Sequence, residues 1–170
     1  MKTAGIFLIA AGILLAGQEW EKYKSICVRE LEYFYRFLQF LEQEVVYRQA
    51  KLPLALEHFR NYAGGDSAAF ALLLAEKINT EQDTVAVLWR DAVKEIYGKK
   101  GFEKEELRIM ETAGNAYSLW QKERIGEQSE LDRKCLWELW RRREQQFQKD
   151  RRLFRCLSAA ASLFAVILLI

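Results

Sequence analysis

The sequence predicts an all-α protein, a helical bundle of about six helices with an apolar helix at each end. Three observations lead to this prediction. Apolar residues recur at helical spacing through the middle of the chain, and no segment alternates strictly enough to indicate a strand. Neither Gly nor Pro occurs between Gly17 and Pro53 or after Gly126, so two very long helices are expected. Each end of the chain carries a stretch without a charged residue.

Composition limits the classes of function. The chain has 170 residues, of which 29% are charged and 51% hydrophobic, so one folded domain is expected rather than a disordered polymer. A formal net charge of +2 gives the whole molecule no strong attraction to nucleic acid. The three Cys are far apart and accompanied by one His, which indicates neither a disulfide framework nor a metal site. A reducing compartment fits this pattern best.

The first element is the N-terminal apolar tract Ala4–Gly17, which follows Lys2. Alone it is shorter than the about 20 residues that cross a bilayer. Trp20 and Tyr23 favour membrane interfaces, so an N-terminal transmembrane helix over residues 1–23 is expected. Its predicted anchoring residues are Ile6, Phe7, Leu8, Ile9, Ile13, Leu14 and Leu15. The alternative is a secreted protein with a cleaved leader, although no clear A-x-A site follows the tract.

Residues 24–152 are predicted to form the helical bundle. The first helix has an apolar stripe with steps of four and three at Cys27, Leu31, Phe34, Leu38, Leu41 and Val45, widened by Phe37 and Phe40. Pro53 suits the first turn of a second helix, which Gly64 and Gly65 are expected to end. The expected apolar side of this second helix consists of Leu54, Leu56, Phe59 and Tyr62.

Three further helices complete the order of the bundle. Asp66 or Ser67 is expected to cap the third helix, whose apolar residues are Phe70, Leu73, Leu74 and Ile78. After a break at residues 79–83, the fourth helix ends at Gly98 and carries Val85, Leu88, Trp89, Ala92, Val93 and Ile96. The fifth runs from Phe102 to Gly114 or beyond, with Leu107, Ile109, Met110 and Ala113 on its apolar side.

The last helix is predicted from Ser129 to Ile170, which is roughly 60 Å at about 1.5 Å per residue. Its end, residues 153–170, is the predicted C-terminal transmembrane helix. The eight large apolar residues expected to anchor it are Leu157, Leu163, Phe164, Val166, Ile167, Leu168, Leu169 and Ile170. At roughly 0.3 to 0.6 kcal/mol each they favour insertion. Because they surround the helix axis, a buried core helix with a polar face is the weaker interpretation.

Basic residues set the predicted orientation. A juxtamembrane basic group precedes the second span and consists of Arg141, Arg142, Arg143, Arg151, Arg152 and Arg155, together with Lys149. Lys22 and Lys24 follow the first span, whereas Lys2 lies on its other side. By the positive-inside rule the bundle is cytoplasmic and both termini face the opposite side of the membrane.

The juxtamembrane basic group also supports an alternative function. A membrane-anchored helical adaptor could use it to bind anionic lipid or nucleic acid. A nucleic-acid site would call for interleaved exposed aromatic residues or a recognisable module, and the sequence has neither pattern. Membrane lipid is therefore the expected partner, and nucleic acid is not expected.

No catalytic, cofactor-binding or metal-binding residue is predicted, and the chain is not expected to be an enzyme. His58 is the single His and lies on a short amphipathic helix, so a structural or surface role is expected. Glu103, Glu105 and Glu106 form an acidic first turn that complements a helix N-terminus. The glycine pair that follows the second helix lacks the Lys and the Ser or Thr of a phosphate-binding loop.

Three stretches of the chain resemble a known family. "FLQFLEQEVVYRQAKLPLALEHF" is similar to L-x-x-L-x-x-E-I-x-Y followed by P-L-x-x-A-L, "TVAVLWRDAV" to T-V-x-x-A-W-x-x-A-L, and "FEKEELRIMETAG" to L-x-x-E-D-x-x-I-L-x-x-F-G. Their order and spacing, with the two terminal apolar tracts, resemble the stage III sporulation protein AB family over nearly the whole chain. The chain departs from that pattern after Gly114, where Tyr117, Ser118 and Gln121 replace the usual Leu-Gly and acidic residue.

The resemblance implies a membrane component of the sporulation channel assembly. In this family the soluble part looks like the cytoplasmic helical domain of the inner-membrane platform proteins of type II secretion and type IV pili. A non-enzymatic scaffold in the mother-cell membrane around the forespore is implied, beside a secretion-type ATPase and sister membrane subunits. Trp89, Tyr97 and Trp120 are the candidate partner surface. The sequence leaves self-association open.

Overall fold

The structure is a computed structural model that describes residues 22, 24–61, 64–118 and 122–169, with side chains of the final helix described at 124–154, 156–158 and 160. These residues form α-helices and no strand, which confirms the predicted all-α class. They divide into two compact units. One unit is Arg29–Arg141, and the other contains the described residues up to Val28 together with those from Arg142 onward.

Six helices are present among the described residues. In chain order they are α1 (24–42), α2 (Leu52–Arg60), α3 (Gly65–Thr80), α4 (Val85–Tyr97), α5 (Lys104–Thr112) and α6 (Lys122–Leu169). A π-helical turn at Gln43–Tyr47 follows α1, and a 3-10 helix at Ala113–Ser118 precedes α6. Each helix predicted for the bundle is present. The last one begins before the predicted Ser129 because the helix continues through Gly126.

The π-helical turn that ends α1 has no counterpart in the sequence prediction. The Arg48 N–H donates to the Gln43 carbonyl oxygen at 3.0 Å. The Ala50 N–H donates to the Glu44 carbonyl oxygen at 2.8 Å. Gln49 has a left-handed backbone with φ of 58°, which no helix can continue through. The two valines of this turn lower its α-helical propensity, so a widened final turn is tolerated there.

The helices α2 and α3 begin in different ways. Pro53 lies in the first turn of α2, as predicted. The helix α3 begins at Gly65 with Gly64 at the N-cap position, so the prediction that Asp66 or Ser67 caps it is wrong. Gly65 has a φ of 72°, and this conformation turns the chain into the helix two residues earlier than capping by Asp66 would. Asp66 and Ser67 therefore lie inside the first helical turn.

The acidic start of α5 forms a capping box. The Glu103 side chain accepts a hydrogen bond from the backbone of the third helical residue, which is Glu106. In return the Glu103 N–H donates to Glu106 Oε2 at 2.7 Å. This reciprocal pair satisfies two donors at the helix N-terminus and confirms the predicted role of the acidic turn.

Large apolar side chains fill the core of the Arg29–Arg141 unit. The largest fully buried ones are Trp89, Tyr97, Phe34, Phe37, Phe70, Leu31, Leu38, Leu41, Leu56, Leu74, Leu88 and Met110. The predicted stripe of α1 is therefore confirmed. Leu54 departs from its prediction, because the buried side of α2 is filled by Ala55, Leu56 and Phe59 and leaves Leu54 exposed.

Trp89 on α4 touches several other parts of this core. Its ring centroid lies 5.1 Å from that of Phe70 and 5.7 Å from that of Phe37. The indole N–H donates to the Met110 carbonyl oxygen at 2.8 Å, so its polar atom is satisfied although it is buried. The indole also stacks on Tyr117, with ring centroids 5.6 Å apart and planes 17° from parallel. One side chain thus joins α1, α3, α4 and the 3-10 helix.

The 3-10 helix approaches Trp89 at a glycine. A Cβ added at Gly114 would lie 2.2 Å from Trp89 Cγ and 2.6 Å from Trp89 Cδ1. No side chain fits at such distances, and the ring is held on its other side by the packed aromatic core. This contact therefore requires glycine at position 114.

The substitution Gly114→Ala is expected to lower the free energy of unfolding by at least about 1 kcal/mol, because the added methyl group overlaps the indole ring. Gly126→Ala is the control. The added Cβ would lie 3.6 Å from Val46 Cγ1, which is an ordinary contact distance. Because alanine favours the helical conformation more than glycine does, the free energy of unfolding is expected to increase by about 0.5 to 1 kcal/mol. Urea unfolding of the detergent-solubilised chain, followed by circular dichroism, measures both. Equal midpoints for the two variants would contradict this account of the contact.

The second unit pairs the beginning of α1 with the distal part of α6. Lys24 Nζ lies 2.8 Å from Asp150 Oδ2, and Cys27 is buried. On α6 the partly buried residues recur at helical spacing, at Arg143, Phe147, Asp150, Phe154 and Ser158. One stripe of α6 is thus covered within this unit, Glu144 is partly buried beside it, and the other described side chains of this part of α6 are exposed.

Among the residues that the structure describes, no helix is long and apolar enough to cross a membrane. The predicted N-terminal anchoring residues, from Ile6 to Leu15, lie outside the described residues. In the C-terminal tract Leu157 is exposed and the α6 backbone continues to Leu169. The side chains of the predicted anchors from Leu163 onward lie outside the described part, as does Ile170.

Candidate functional site

The structure corrects the predicted partner surface. Trp89 and Tyr97 are both 0% exposed, so neither can present a docking surface, and the prediction is wrong for these two residues. Both lie on the buried side of α4 with Leu88 and Val93. The helical spacing correctly assigned Trp89 to the apolar side of α4. A partner that docks on α4 would therefore contact the exposed side of this helix. Trp120 lies outside the described residues.

A buried carboxylate, Glu30 on α1, lies against the beginning of α3. It is 4% exposed, and the backbone N–H of Asp66 donates to it. A Cβ at Gly65 would lie 3.0 Å from Glu30 Oε1, so the carboxylate packs closely over the first helical residue. Lys100 forms an ion pair with Asp66. Burial, with the nearby charge of Asp66 as a second cause, raises the pKa of Glu30 above its ordinary value.

Two buried tyrosines form hydrogen bonds within the same unit. Tyr97 Oη lies 3.2 Å from Ser67 Oγ, and Tyr117 Oη lies 3.4 Å from Ser129 Oγ. Burial raises the pKa of both Tyr97 and Tyr117, and the hydrogen bonds only partly oppose that effect. Both hydroxyl groups therefore stay protonated at physiological pH and serve as structural hydrogen-bonding groups.

The substitution Glu30→Gln is expected to raise the free energy of unfolding at neutral pH. Since the folded-state pKa of Glu30 is raised, the folded chain binds more protons than the unfolded chain between the ordinary pKa of 4.5 and the folded pKa. The stability contribution of Glu30 therefore falls as pH increases through that range. Glutamine imitates the protonated carboxyl group and removes this loss.

Urea unfolding of the parent and of Glu30→Gln across pH 4.5 to neutrality measures this difference. We expect the gap in unfolding free energy between the two proteins to widen as pH rises. Glu57→Gln removes the same charge from an exposed position on α2 and is the control. A gap that stays constant with pH, or that narrows, would show that Glu30 is not held in this raised-pKa environment.

An ion pair joins α1 to the first part of α6 within the Arg29–Arg141 unit. Glu42 Oε2 lies 3.1 Å from Arg133 Nε, and both side chains are largely buried. Leu136 is fully buried one turn further along α6. Partly buried pairs of this kind resist separation, because breaking one leaves a charge without its partner.

A cleft of about 530 Å³ lies beside the π-helical turn. Its lining residues are Phe40, Gln43, Glu44, Arg48, His58 and Asn61. Glu44 is buried, and its Oε1 lies 2.7 Å from Arg48 Nη1. Its Oε2 lies 3.5 Å from His58 Nδ1. His58 thus takes the surface and structural role predicted for it, next to a carboxylate that Arg48 already neutralises.

A second cleft, of about 500 Å³, lies between α2 and α3. Its lining residues are Leu56, Glu57, Arg60, Asn61, Leu72, Ala75, Glu76 and Asn79. Leu56 and Ala75 are buried at its floor, and Leu72 is exposed at its rim. Across the described ranges, no group of three or more His, Cys, Asp or Glu residues is arranged to hold a metal ion.

The predicted juxtamembrane basic residues lie on α6. Arg142, Arg151 and Arg152 are exposed, as is Lys149. Arg143 is partly buried. The remaining members are Arg141, whose guanidinium lies 5.0 Å from the centre of the Trp137 ring, and Arg155, whose side chain lies outside the described part.

Sequence reasoning missed the buried carboxylates. Glu30, Glu42, Glu44 and Glu106 are buried, and none was predicted as a core residue. A signal for Glu30 was present: it lies three residues after Cys27 and four before Phe34, on the apolar stripe of α1. A charged residue on such a stripe indicates a buried partner, although the pattern does not say which one.

Comparison with known proteins gives a consistent result. The family model described as Stage III sporulation protein AB matches residues 2–170. A solved structure titled "Stage III sporulation protein AB (SpoIIIAB)" is similar with a TM-score of 0.64 and 16% identity. The match covers 69% of this chain and 93% of that one, and at this identity it shows a shared fold. Among curated proteins, none matches this chain.

Proposed function

Because the chain belongs to the stage III sporulation protein AB family, we propose that it is a non-enzymatic membrane platform subunit of a sporulation-specific, secretion-like channel complex between mother cell and forespore. A role in sporulation follows from the membership itself. The proposal adds two features. Helices at both ends anchor the chain in the mother-cell membrane, and the cytoplasmic bundle docks a secretion-type ATPase beside sister membrane subunits.

The observation that carries the proposal is the extent of the family match. It runs over residues 2–170 and so includes both charge-free tracts as well as the helices between them. The distribution of basic residues on the bundle side of each tract favours a cytoplasmic bundle. A chain held at both ends presents a restricted set of surfaces to a partner in the cytoplasm, which suits a platform.

The packing of the Arg29–Arg141 unit supports a docking role. Its aromatic core is closed around Trp89, so its surface is presented by a well-packed body. Apolar side chains remain exposed on three successive helices, at Leu54 on α2, Leu72 on α3 and Val87 on α4. These residues, together with the cleft between α2 and α3, replace Trp89 and Tyr97 as the positions at which to search for the ATPase.

A photo-crosslinking amino acid at Leu72 is expected to capture the secretion-type ATPase of the sporulation complex in sporulating cells. Leu72 lies at the rim of the cleft between α2 and α3, where an apolar partner side chain would be covered. The adduct is identified by mass spectrometry. Glu105, exposed on α5, is the matched control position. Equal capture of the ATPase at both positions, or capture of neither the ATPase nor a sister subunit, would contradict the proposal.

Cysteine labelling tests the predicted topology in cells that express the chain in their plasma membrane. Cys135 is exposed and Cys27 is buried, so a Cys27→Ala, Cys156→Ser variant retains one accessible thiol. With a cytoplasmic bundle, a membrane-impermeant maleimide is expected to leave Cys135 unlabelled in intact cells and to label it after permeabilisation. Lys2→Cys in a cysteine-free background should show the opposite behaviour.

Two results would contradict the topology. Labelling of Cys135 in intact cells would place the bundle on the wrong side of the membrane. Recovery of the chain in the aqueous fraction after alkaline extraction would contradict the proposal that helices at both ends anchor it in the membrane. Sequencing of the mature N-terminus separates a retained helix, which begins at the first residues, from a cleaved leader, which leaves a terminus near Gln18.

A further inference from the structure

We propose that the exposed side of α6 between Arg142 and Leu157 binds anionic phospholipid headgroups. Lys149 and Arg152 contact phosphate groups, and Leu153 and Leu157 enter the boundary of the acyl chains. The inference rests on the membrane anchoring proposed above and is independent of ATPase docking. It names a chemical class of ligand for exposed residues of α6 that ATPase docking does not use.

The two sides of this stretch of α6 differ in burial. The partly buried stripe runs through Arg143, Phe147, Asp150, Phe154 and Ser158. The exposed side carries Arg142, Gln145, Gln146, Lys149, Arg152, Leu153, Cys156 and Leu157. At about 100° per residue, the second set spans an arc of about 140° next to the partly buried stripe, and Gln148 and Arg151 are exposed outside that arc. The exposed side is therefore the one that a surface parallel to or crossing this helix would meet.

Charge on the exposed side has one sign. Among the described side chains from 142 to 157, every charged one that is exposed is basic. The two acidic residues of the stretch are partly buried. Asp150 Oδ2 pairs with Lys24 Nζ at 2.8 Å, and Glu144 Oε1 accepts a hydrogen bond from Gln148 Nε2 at 3.3 Å. The exposed charges of Lys149 and Arg152 are positive, and they complement a phosphate-rich surface.

Apolar side chains distinguish lipid from nucleic acid as the ligand. Leu153 is 63% and Leu157 is 68% exposed, and they follow Lys149 at successive steps of four on the same side of α6. The rise from Lys149 to Leu157 is about 12 Å. Cations followed by leucines over that distance match a headgroup layer followed by hydrocarbon. A nucleic-acid backbone offers phosphate to the cations and no apolar phase to the leucines.

The native Cys156 reports on this surface, because it is exposed and lies between the two leucines. A Cys27→Ala, Cys135→Ser chain is labelled at Cys156 with an environment-sensitive fluorophore and reconstituted in vesicles of phosphatidylcholine with or without phosphatidylglycerol. We expect the emission to be shifted further to the blue in the anionic vesicles than in phosphatidylcholine alone, and this difference to be lost at high salt. Lys149→Gln combined with Arg152→Gln should abolish the shift, since these exposed charges carry the contact.

Arg90→Gln combined with Lys94→Gln is the matched control. It removes two exposed basic charges, also one helical turn apart, from α4, and it should keep the full shift. Circular dichroism of both double variants verifies that each folds as the parent does. Emission that is equal in the two kinds of vesicle, or a shift that survives the loss of Lys149 and Arg152, would overturn the proposal.

Three further outcomes distinguish headgroup binding from nucleic-acid binding and from membrane anchoring alone. Saturable binding of a labelled oligonucleotide, abolished by the Lys149→Gln, Arg152→Gln variant while the emission stays insensitive to lipid, would assign the surface to nucleic acid and overturn the lipid proposal. Co-flotation with both kinds of vesicle without an anionic shift would overturn only the headgroup contact. A chain that floats with neither would overturn the membrane anchoring as well.

Discussion

The packing of Gly114 against the indole of Trp89 is the contact on which most of the described fold depends. Glycine allows the 3-10 helix to close over the ring, and the indole N–H then bonds to the Met110 carbonyl oxygen at 2.8 Å. This approach brings Tyr117 into a stacked position, from which its hydroxyl reaches Ser129 on α6. A close contact between two residues of different elements thus sets where α6 begins to pack in the Arg29–Arg141 unit.

Buried carboxylates near α1 add directional contacts to this apolar core. Glu30 accepts the Asp66 N–H at the beginning of α3, Glu42 pairs with Arg133 on α6, and Glu44 of the π-helical turn lies near His58 on α2. Each therefore meets a different helix. Apolar contacts are tolerant of small shifts, whereas a buried charge has one acceptable position. These contacts explain how α1 can specify the placement of three neighbours at once.

Sequence periodicity predicted the helices and their buried sides, because burial on one side of a helix imposes a repeat that survives in a single sequence. Leu31, Phe34 and Leu41 show this. The same reasoning could not predict that Tyr97 lies in the core rather than at a docking surface, since periodicity gives a direction around the axis and not the neighbour found there. The sequence also did not predict that α3 begins at Gly65 or that Glu30 accepts the Asp66 N–H, because both features depend on tertiary contacts.

The distribution of ionisable groups argues for a protein that works through surfaces. In the described part of the Arg29–Arg141 unit, the buried tyrosine hydroxyls are held protonated and the Glu42 and Glu44 carboxylates are engaged in ion pairs, so these groups stabilise the fold. On the distal part of α6, Asp150 pairs with Lys24, whereas Lys149 and Arg152 are exposed. Exposed charges that form no ion pair within the fold are accessible to a partner of opposite charge. This distribution of charge supports the proposed platform role, in which the chain would hold a membrane and a cytoplasmic partner together.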